Sequence, residues 1–287
     1  MTKPTRPVLG ILLAITTMLL FASMDSVSKV LVDQFSVTQI LWVRYAVFLV
    51  FALCLALPKL GRTAIKTRRP WLQITRSLVL VAEIGVFVFA FRYMEFADVH
   101  AVAAIAPLMV TAMSVPFLGE RVGPRRWAAV AIGLVGMLVI LRPGFSVFDP
   151  AALIALAGAA LFALYQVLTR MAAEDPAEVS LLYTGLVGFV VLTFFGPFFW
   201  VWPTITETGL LAAAGLLGVV AHLALIKALS LAPASTLQPF NYTLIVWATL
   251  IGFLIFDTFP DSWTLVGAGI IVCSGLYALA RERRAKT

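Results

Sequence analysis

Polar residues gather in short joins along this chain and leave ten apolar stretches between them. They run roughly over 8–32, 36–57, 71–93, 98–118, 126–142, 149–173, 178–202, 207–230, 233–256 and 262–280. Each is near the ~20 residues that an α-helix needs to cross a bilayer. Pro and Gly punctuate the joins, at Pro58, Gly61, Pro70, Gly119, Gly123-Pro124, Pro143-Gly144, Pro150, Pro176, Pro203, Pro233 and Pro260. Several joins are only a few residues long, so sequence neighbours must form antiparallel hairpins. The expected fold is an all-α integral membrane protein of about ten transmembrane helices.

The pattern repeats. LFASMDSVSKV (20–30) echoes LFALYQVLTRM (161–171), with Asp25 on Gln166 and Ser28-Lys29 on Thr169-Arg170. AFRYMEFADVHA (90–101) echoes LIKALSLAPAST (225–236), with Arg92 on Lys227. Trp127 and Gly133 fall on Trp263 and Gly269. The offsets are 141, 135 and 136, in order along the chain. Two five-helix halves, 1–143 and 144–287, are therefore expected within one membrane domain. Five is odd, so the second half enters the membrane from the opposite side. Inverted repeats of this kind build carriers, because two similar halves rock about a shared central site.

Composition agrees with lipid as the solvent. Hydrophobic residues are 62% and charged residues 12%, about half the roughly 25% of a soluble domain. The first stretch runs on to Val32 without a small-x-small cleavage site, so it reads as a membrane helix rather than a signal peptide. Cys54 and Cys273 lie within apolar stretches and form neither a disulfide framework nor a metal spacing.

The net charge of +7 calls for no nucleic acid, because the cations sit where membrane topology puts them. Lys3 and Arg6 precede the first stretch, and Lys59, Arg62, Lys66, Arg68 and Arg69 fill the second join. Arg121, Arg125 and Arg126 fill the fourth, and Arg281, Arg283, Arg284 and Lys286 end the chain. The alternate joins carry mainly acids: Asp33, Glu95, Asp98, Asp149, Glu207, Asp257 and Asp261. The positive-inside rule places both termini in the cytoplasm. One join dissents: Glu174, Asp175 and Glu178 lie between helices 6 and 7, on the face expected to be cytoplasmic.

Ionisable groups inside hydrocarbon mark function by default. Asp25 and Lys29 share a helix face, and Arg44 starts from the facing helix at a similar depth of ~10–12 Å. An Asp25–Arg44 pair reads either as a switchable charge that anchors a zwitterion or as a static bond across the hairpin, with Arg44 the more structural partner. Glu83 is the deepest carboxylate, ~18 Å in. It suits a proton or a substrate ammonium, or else a hydrogen bond to a neighbouring helix. Arg76 lies two turns away on the same face. His222 reads first as a hydrogen-bonded core residue, and Arg92 and Lys227 as snorkelling side chains.

Polar and aromatic positions also share faces: Thr17, Phe21, Met24, Asp25 and Ser28 on helix 1, and Gly158, Phe162, Tyr165, Gln166 and Thr169 on helix 6. Helix 4 adds His100, Ala104, Pro107, Thr111 and Ser114; helix 9 adds Gln238, Asn241, Tyr242 and Thr249. Such faces hold a small amphipathic solute, apolar groups taking its side chain and polar ones its ammonium and carboxylate; they also serve as glue between helices. The candidate substrate-binding set is Phe21, Met24, Asp25, Ser28, Arg76, Glu83, His100, Pro107, Phe162, Tyr165, Gln166, His222, Gln238, Asn241 and Tyr242. Pro107, Pro116 and Pro239 can kink helices 4 and 9. Gly133, Gly136, Gly267, Gly269 and Ser274 permit close contact in helices 5 and 10, which read as braces or a dimer surface. No metal site, cofactor or catalytic residue is expected.

LFASMDSVSK (20–29), the A-x-A-P…PFLGE run from Ala104 to Glu120 with Trp127, and APASTLQPFNYTLIVWATL (232–250) resemble the drug/metabolite transporter superfamily, EamA type. The C-terminal half resembles the ten-helix amino-acid exporters, including the aromatic amino-acid group. The resemblance implies a basket-like bundle whose central cavity is lined by helices 1, 3, 4, 6, 8 and 9, with helices 5 and 10 to the side. It implies a secondary transporter that exports amino acids, aromatic or hydrophobic ones first, across a bacterial inner membrane as a monomer or weak homodimer. An importer or exchanger of a nucleoside derivative or sugar is the alternative. One departure from the pattern is Phe256-Asp257, standing where helix 4 has Gly119-Glu120. The chain has no P-loop, H-E-x-x-H or G-x-S-x-G, which argues against direct ATP drive and against an intramembrane enzyme.

Overall fold

The structure, a computed structural model, describes residues 7–119, 123–141 and 150–285. Lys3, Arg6, Glu120, Arg121, Asp149, Lys286 and the join at 142–149 lie outside the described residues. The described residues form helices and connecting turns, without strands. The helices are α1 (Pro7–Val32), α2 (Val37–Leu60), α3 (Pro70–Ala90), α4 (Phe96–Ala103), α5 (Ala106–Leu118) and α6 (Pro124–Leu141). They continue with α7 (Ala151–Met171), α8 (Ala177–Thr193), α9 (Ile205–Leu231), α10 (Ala234–Asn241), α11 (Thr243–Phe256) and α12 (Ser262–Ala285). Among the described residues, seven segments are long and apolar enough to span a membrane, and three shorter apolar helices lie within α6, α8 and α12.

Stretches four and nine are each broken once. Pro107 stands in the first turn of α5, where its missing N–H would have no helical partner, so a new helix starts there and α4 stops at Ala103. The second break falls at Tyr242, between α10 and α11 and three residues after Pro239. The seventh stretch is shorter than its apolar run. Helix α8 ends at Thr193, and Gly196–Phe199 form a single 3-10 turn. Pro197 cannot donate to a continuing helix, and Gly196 lies where any Cβ would collide with Trp42.

The packing partners recur between the halves. Helix α1 lies along α9, and its repeat counterpart α7 lies along α3; α2 packs on α8, and α6 on α12. The braces meet backbone to backbone: a Cβ at Gly136 would stand 2.8 Å from the Gly267 carbonyl oxygen, and one at Gly267 2.6 Å from that of Gly136. Gly269 has open space around it.

The first echo has a structural reason. Lys29 donates from α1 to the carbonyls of Phe91 (2.6 Å) and Met94 (3.1 Å) just beyond α3. Arg170 donates from α7 to the carbonyl of Leu229 (2.6 Å) at the end of α9. Met94 and Leu229 are themselves 135 apart, the offset of the second echo. A cation on the unpaired carbonyls of a helix end satisfies them and opposes the helix dipole. Arg92 does the same for α1, donating to Val32 and Phe35 rather than snorkelling.

The dissenting acidic join also finds its partner. Glu178 pairs with Lys59 at 2.9 Å, and Asp175 accepts from Thr67 and from Gln73 (2.9 Å). Tyr183 donates to the Ile65 carbonyl. Glu178 thus neutralises Lys59 of the basic second join, and Asp175 is held by the uncharged donors Thr67 and Gln73. At the other end of the α2–α8 seam, Gln39 exchanges two hydrogen bonds with the backbone of Val201, and Trp42 donates to Thr193.

The departure at the end of helix 9 resolves into an equivalence. Gly119 (φ 65°) and Asp257 (φ 53°) both take the left-handed conformation that ends α5 and α11. Asp257 therefore matches Gly119 itself. Asp is among the few side chains that adopt this conformation at modest cost.

Candidate functional site

The breaks in α4–α5 and α10–α11 face a central cavity of about 680 Å³, its opening included. Its wall draws on α1, α2, α3, α4, α5, α7, α9, α10 and α11. Helix α2, through Arg44, is an addition to the set that the family resemblance implies.

Of the candidate residues, Phe21, Met24, Asp25, Glu83, His100, Pro107, Phe162, His222 and Asn241 line this cavity. Met18, Arg44, Ile84, Phe87, Leu244 and Ile245 line it too. Ser28, Arg76, Tyr165, Gln166, Gln238 and Tyr242 are absent from the lining. The Ser28 hydroxyl donates to the Met24 carbonyl one turn back. Tyr242 is buried at the α10–α11 break.

Arg76 is the largest departure. Its guanidinium spends every N–H inside the bundle. Nε donates to Gln73, Nη1 to Tyr165 and Thr169, and Nη2 to the Ser180 carbonyl and Thr184. It also lies 5.5 Å from the centre of the Tyr165 ring. Five donors in a fixed fork suit such a clamp between helices. Arg76 and Tyr165 together therefore pin α3 to α7 and α8.

The charged pole of the cavity consists of Asp25, Arg44 and Glu83, which interact electrostatically with one another. Arg44 lies against Met24 on α1 and in the space left by Gly218 on α9. Its Nη1 is buried and has no hydrogen-bond partner. The expected direct Asp25–Arg44 pair does not form. Asp25 instead lies nearest His100, with Oδ2 to Nε2 at 3.7 Å. Sequence reasoning left Arg44 out of the site set; the signal that would have found it was a guanidinium placed well inside an apolar helix.

Rings form another part of the wall. Phe21 meets Phe162 edge to face at 5.9 Å and His222 at 4.9 Å. Phe87 adds a third phenyl ring to the wall. His222 Nδ1 sits 2.7 Å from the Gly218 carbonyl one turn back and must donate to it. In the neutral ring Nε2 is then an acceptor. His222 is thus both hydrogen-bonded in the core and present at the cavity.

Three relatives bear on what passes through. An S-adenosylmethionine uptake transporter of Rickettsia bellii is 26% identical over 78% of this chain and 78% of its own length. A riboflavin transporter of Vibrio cholerae is 30% identical over 93% of this chain and 92% of its own. A pseudopaline exporter of Pseudomonas aeruginosa is 24% identical over 96% and 97%. The EamA-like transporter family matches residues 8–142 and again 149–279. The chain belongs to the EamA-like transporter family. It is a multi-pass membrane protein, a transporter within the drug/metabolite superfamily, and its cargo is a small molecule.

Proposed function

We propose that this EamA-like protein carries an amphipathic metabolite with an amino-acid head and a flat ring across the bacterial inner membrane by alternating access. The observation that carries the reading is the cavity itself, where Asp25, Arg44 and Glu83 adjoin the rings of Phe21, Phe87 and Phe162. Arg44 Nη1 suits a solute carboxylate, the two carboxylates suit an ammonium, and the rings take the flat group. The pole sets two carboxyl groups against one guanidinium, which favours a head of net positive charge.

S-adenosylmethionine has that charge, an amino-acid head and a flat adenine, and it is the cargo named for the Rickettsia relative. It leads the proposal; export of an aromatic amino acid is the second reading, favoured by the same head group and rings. The recurring helix pairs support two inverted five-helix halves, 1–143 and 144–287. The cations of the second join support a cytoplasmic placement for that face and both termini.

Proteoliposomes preloaded with unlabelled solute test this by counterflow of labelled S-adenosylmethionine, tryptophan and riboflavin. Exchange of S-adenosylmethionine above the other two is expected. Exchange of tryptophan alone selects the amino-acid reading, and exchange of none of the three overturns both.

A further inference from the structure

The cavity has a second pole, on the side of the repeat opposite Asp25. Gln166 occupies the position in α7 that Asp25 occupies in α1. Gln238 and Asn241 lie three apart on α10, one face of a helix that ends at the break. The three amides form a closed network. Asn241 Nδ2 donates to Gln166 Oε1 (3.3 Å) and to Gln238 Oε1 (3.0 Å). Gln238 Nε2 donates to Gln166 Oε1 (3.3 Å) and to the Ala234 carbonyl (3.0 Å).

A primary amide has two N–H donors and one carbonyl oxygen. Both donors of Asn241 are therefore spent, and both lone pairs of Gln166 Oε1 are filled. Asn241 Oδ1 is left buried without a partner, on a residue that lines the cavity. Turning the Asn241 amide around would break two hydrogen bonds and set Oδ1 against the oxygens of Gln166 and Gln238, so this pole accepts and does not donate. A buried acceptor left empty is costly, and a ligand N–H removes that cost. Gln166 Nε2 is the other unpartnered atom of the network, on a residue off the cavity wall.

We infer that Asn241, held by Gln166 and Gln238, is a specificity-determining acceptor for an N–H on the edge of the solute's flat ring. The ligand class is a ring with an exocyclic amine or a ring N–H, such as an aminopurine or an indole. This rests on the proposed transport reading for the place of the ring among Phe21, Phe87 and Phe162. A phenyl ring or an N-alkylated one leaves Asn241 Oδ1 empty.

The test measures binding to the purified full-length protein in detergent, by ligand-induced thermal stabilisation. The probes are two pairs that differ at the N–H: adenosine against purine riboside, and tryptophan against 1-methyltryptophan. The N–H-bearing member of at least one pair should bind about tenfold or more tightly, and the pair that shows the gap distinguishes the two ring types. Asn241→Leu should erase the gap. Asn241→Asp keeps an acceptor but loses the two N–H donors that hold it in place, so it should narrow the gap without erasing it, which separates recognition from a folding defect. Gln166→Leu should narrow the gap by releasing Asn241, and Gln166→Glu should retain it. Equal binding within both pairs, a gap that persists in Asn241→Leu, or no binding of any probe overturns the inference. A gap in binding with no counterflow of S-adenosylmethionine or tryptophan sinks the transport reading alone.

Discussion

Replacing Arg76 separates a clamp from a substrate ligand. Arg76→Leu removes five hydrogen bonds, shared among α3, α7 and α8. Hydrogen bonds between membrane helices average about 0.6 kcal/mol each, so the four that cross to α7 and α8 amount to about 2.4 kcal/mol. The orphaned acceptors soften the loss, because Thr184 already donates to the Ser180 carbonyl and needs no new partner. Arg76→Lys puts its donors on one nitrogen. That nitrogen cannot span the partners on α7 and α8 together, so roughly half the loss should remain. The assay heats detergent-solubilised protein and measures the fraction that stays monodisperse. Flux is then measured per folded molecule in liposomes. Arg76→Leu should melt well below the parent and Arg76→Lys between them, while flux per folded molecule stays within about threefold of the parent. An Arg76→Leu protein with unchanged melting and no flux would refute the clamp and return Arg76 to the transport path.

Other substitutions test neighbouring parts of the structure. Glu83→Gln keeps the shape of a side chain on the cavity wall and removes its charge; flux should fall at least tenfold at unchanged folded yield, and normal flux would remove Glu83 from the site. Lys29→Met and Arg170→Met each uncover carbonyls at the end of a neighbouring helix. Each should cost about 1–2 kcal/mol in denaturant unfolding, and the repeat relation predicts similar losses for the two. Gly267→Leu places a side chain into the Gly136 backbone; it should lower thermal stability, measured as above, more than Gly269→Leu, which enters open space.

The apolar runs were legible because lipid demands them, and among the described residues seven are long enough to cross a membrane while three form shorter apolar helices. The breaks were legible only in part. Pro107 announces a new helix, whereas the turn at Gly196–Phe199 hides inside an apolar run whose Phe and Trp residues read as membrane. The acidic join looked like a topological exception because charge rules count each join separately, while across space Glu178 is paired with Lys59 and Asp175 accepts from Thr67 and Gln73. Arg44 and Arg76 show the limit most clearly. Both are guanidiniums in apolar helices, and sequence reasoning favoured the wall of the cavity for Arg76 and a structural bond for Arg44. The structure gives Arg76 four partners from facing helices and leaves Arg44, a residue of the cavity wall, with a buried and unpartnered Nη1. A helical face can be read from spacing, but the partners it meets are set by the other helices.

The repeat makes the chemistry of the cavity asymmetric in a useful way. Two halves of one ancestry would present the same group twice, and two carboxylates at equivalent positions would repel each other across the cavity. Here one half has Asp25 and the other Gln166, similar in shape and different in charge. The acid joins Arg44 and Glu83 at a charged pole, while the amide locks Gln238 and Asn241 into a neutral one. A solute with a charged head and a neutral ring is polar in the same sense, so one orientation satisfies both poles and the reverse satisfies neither. Gln166→Glu adds a negative charge at the neutral pole while keeping the acceptor that holds Asn241. It should therefore preserve discrimination between adenosine and purine riboside, yet raise relative affinity for solutes with a second cationic group at the ring end. Unchanged preference between singly and doubly cationic solutes would show that the two poles do not act on one bound molecule.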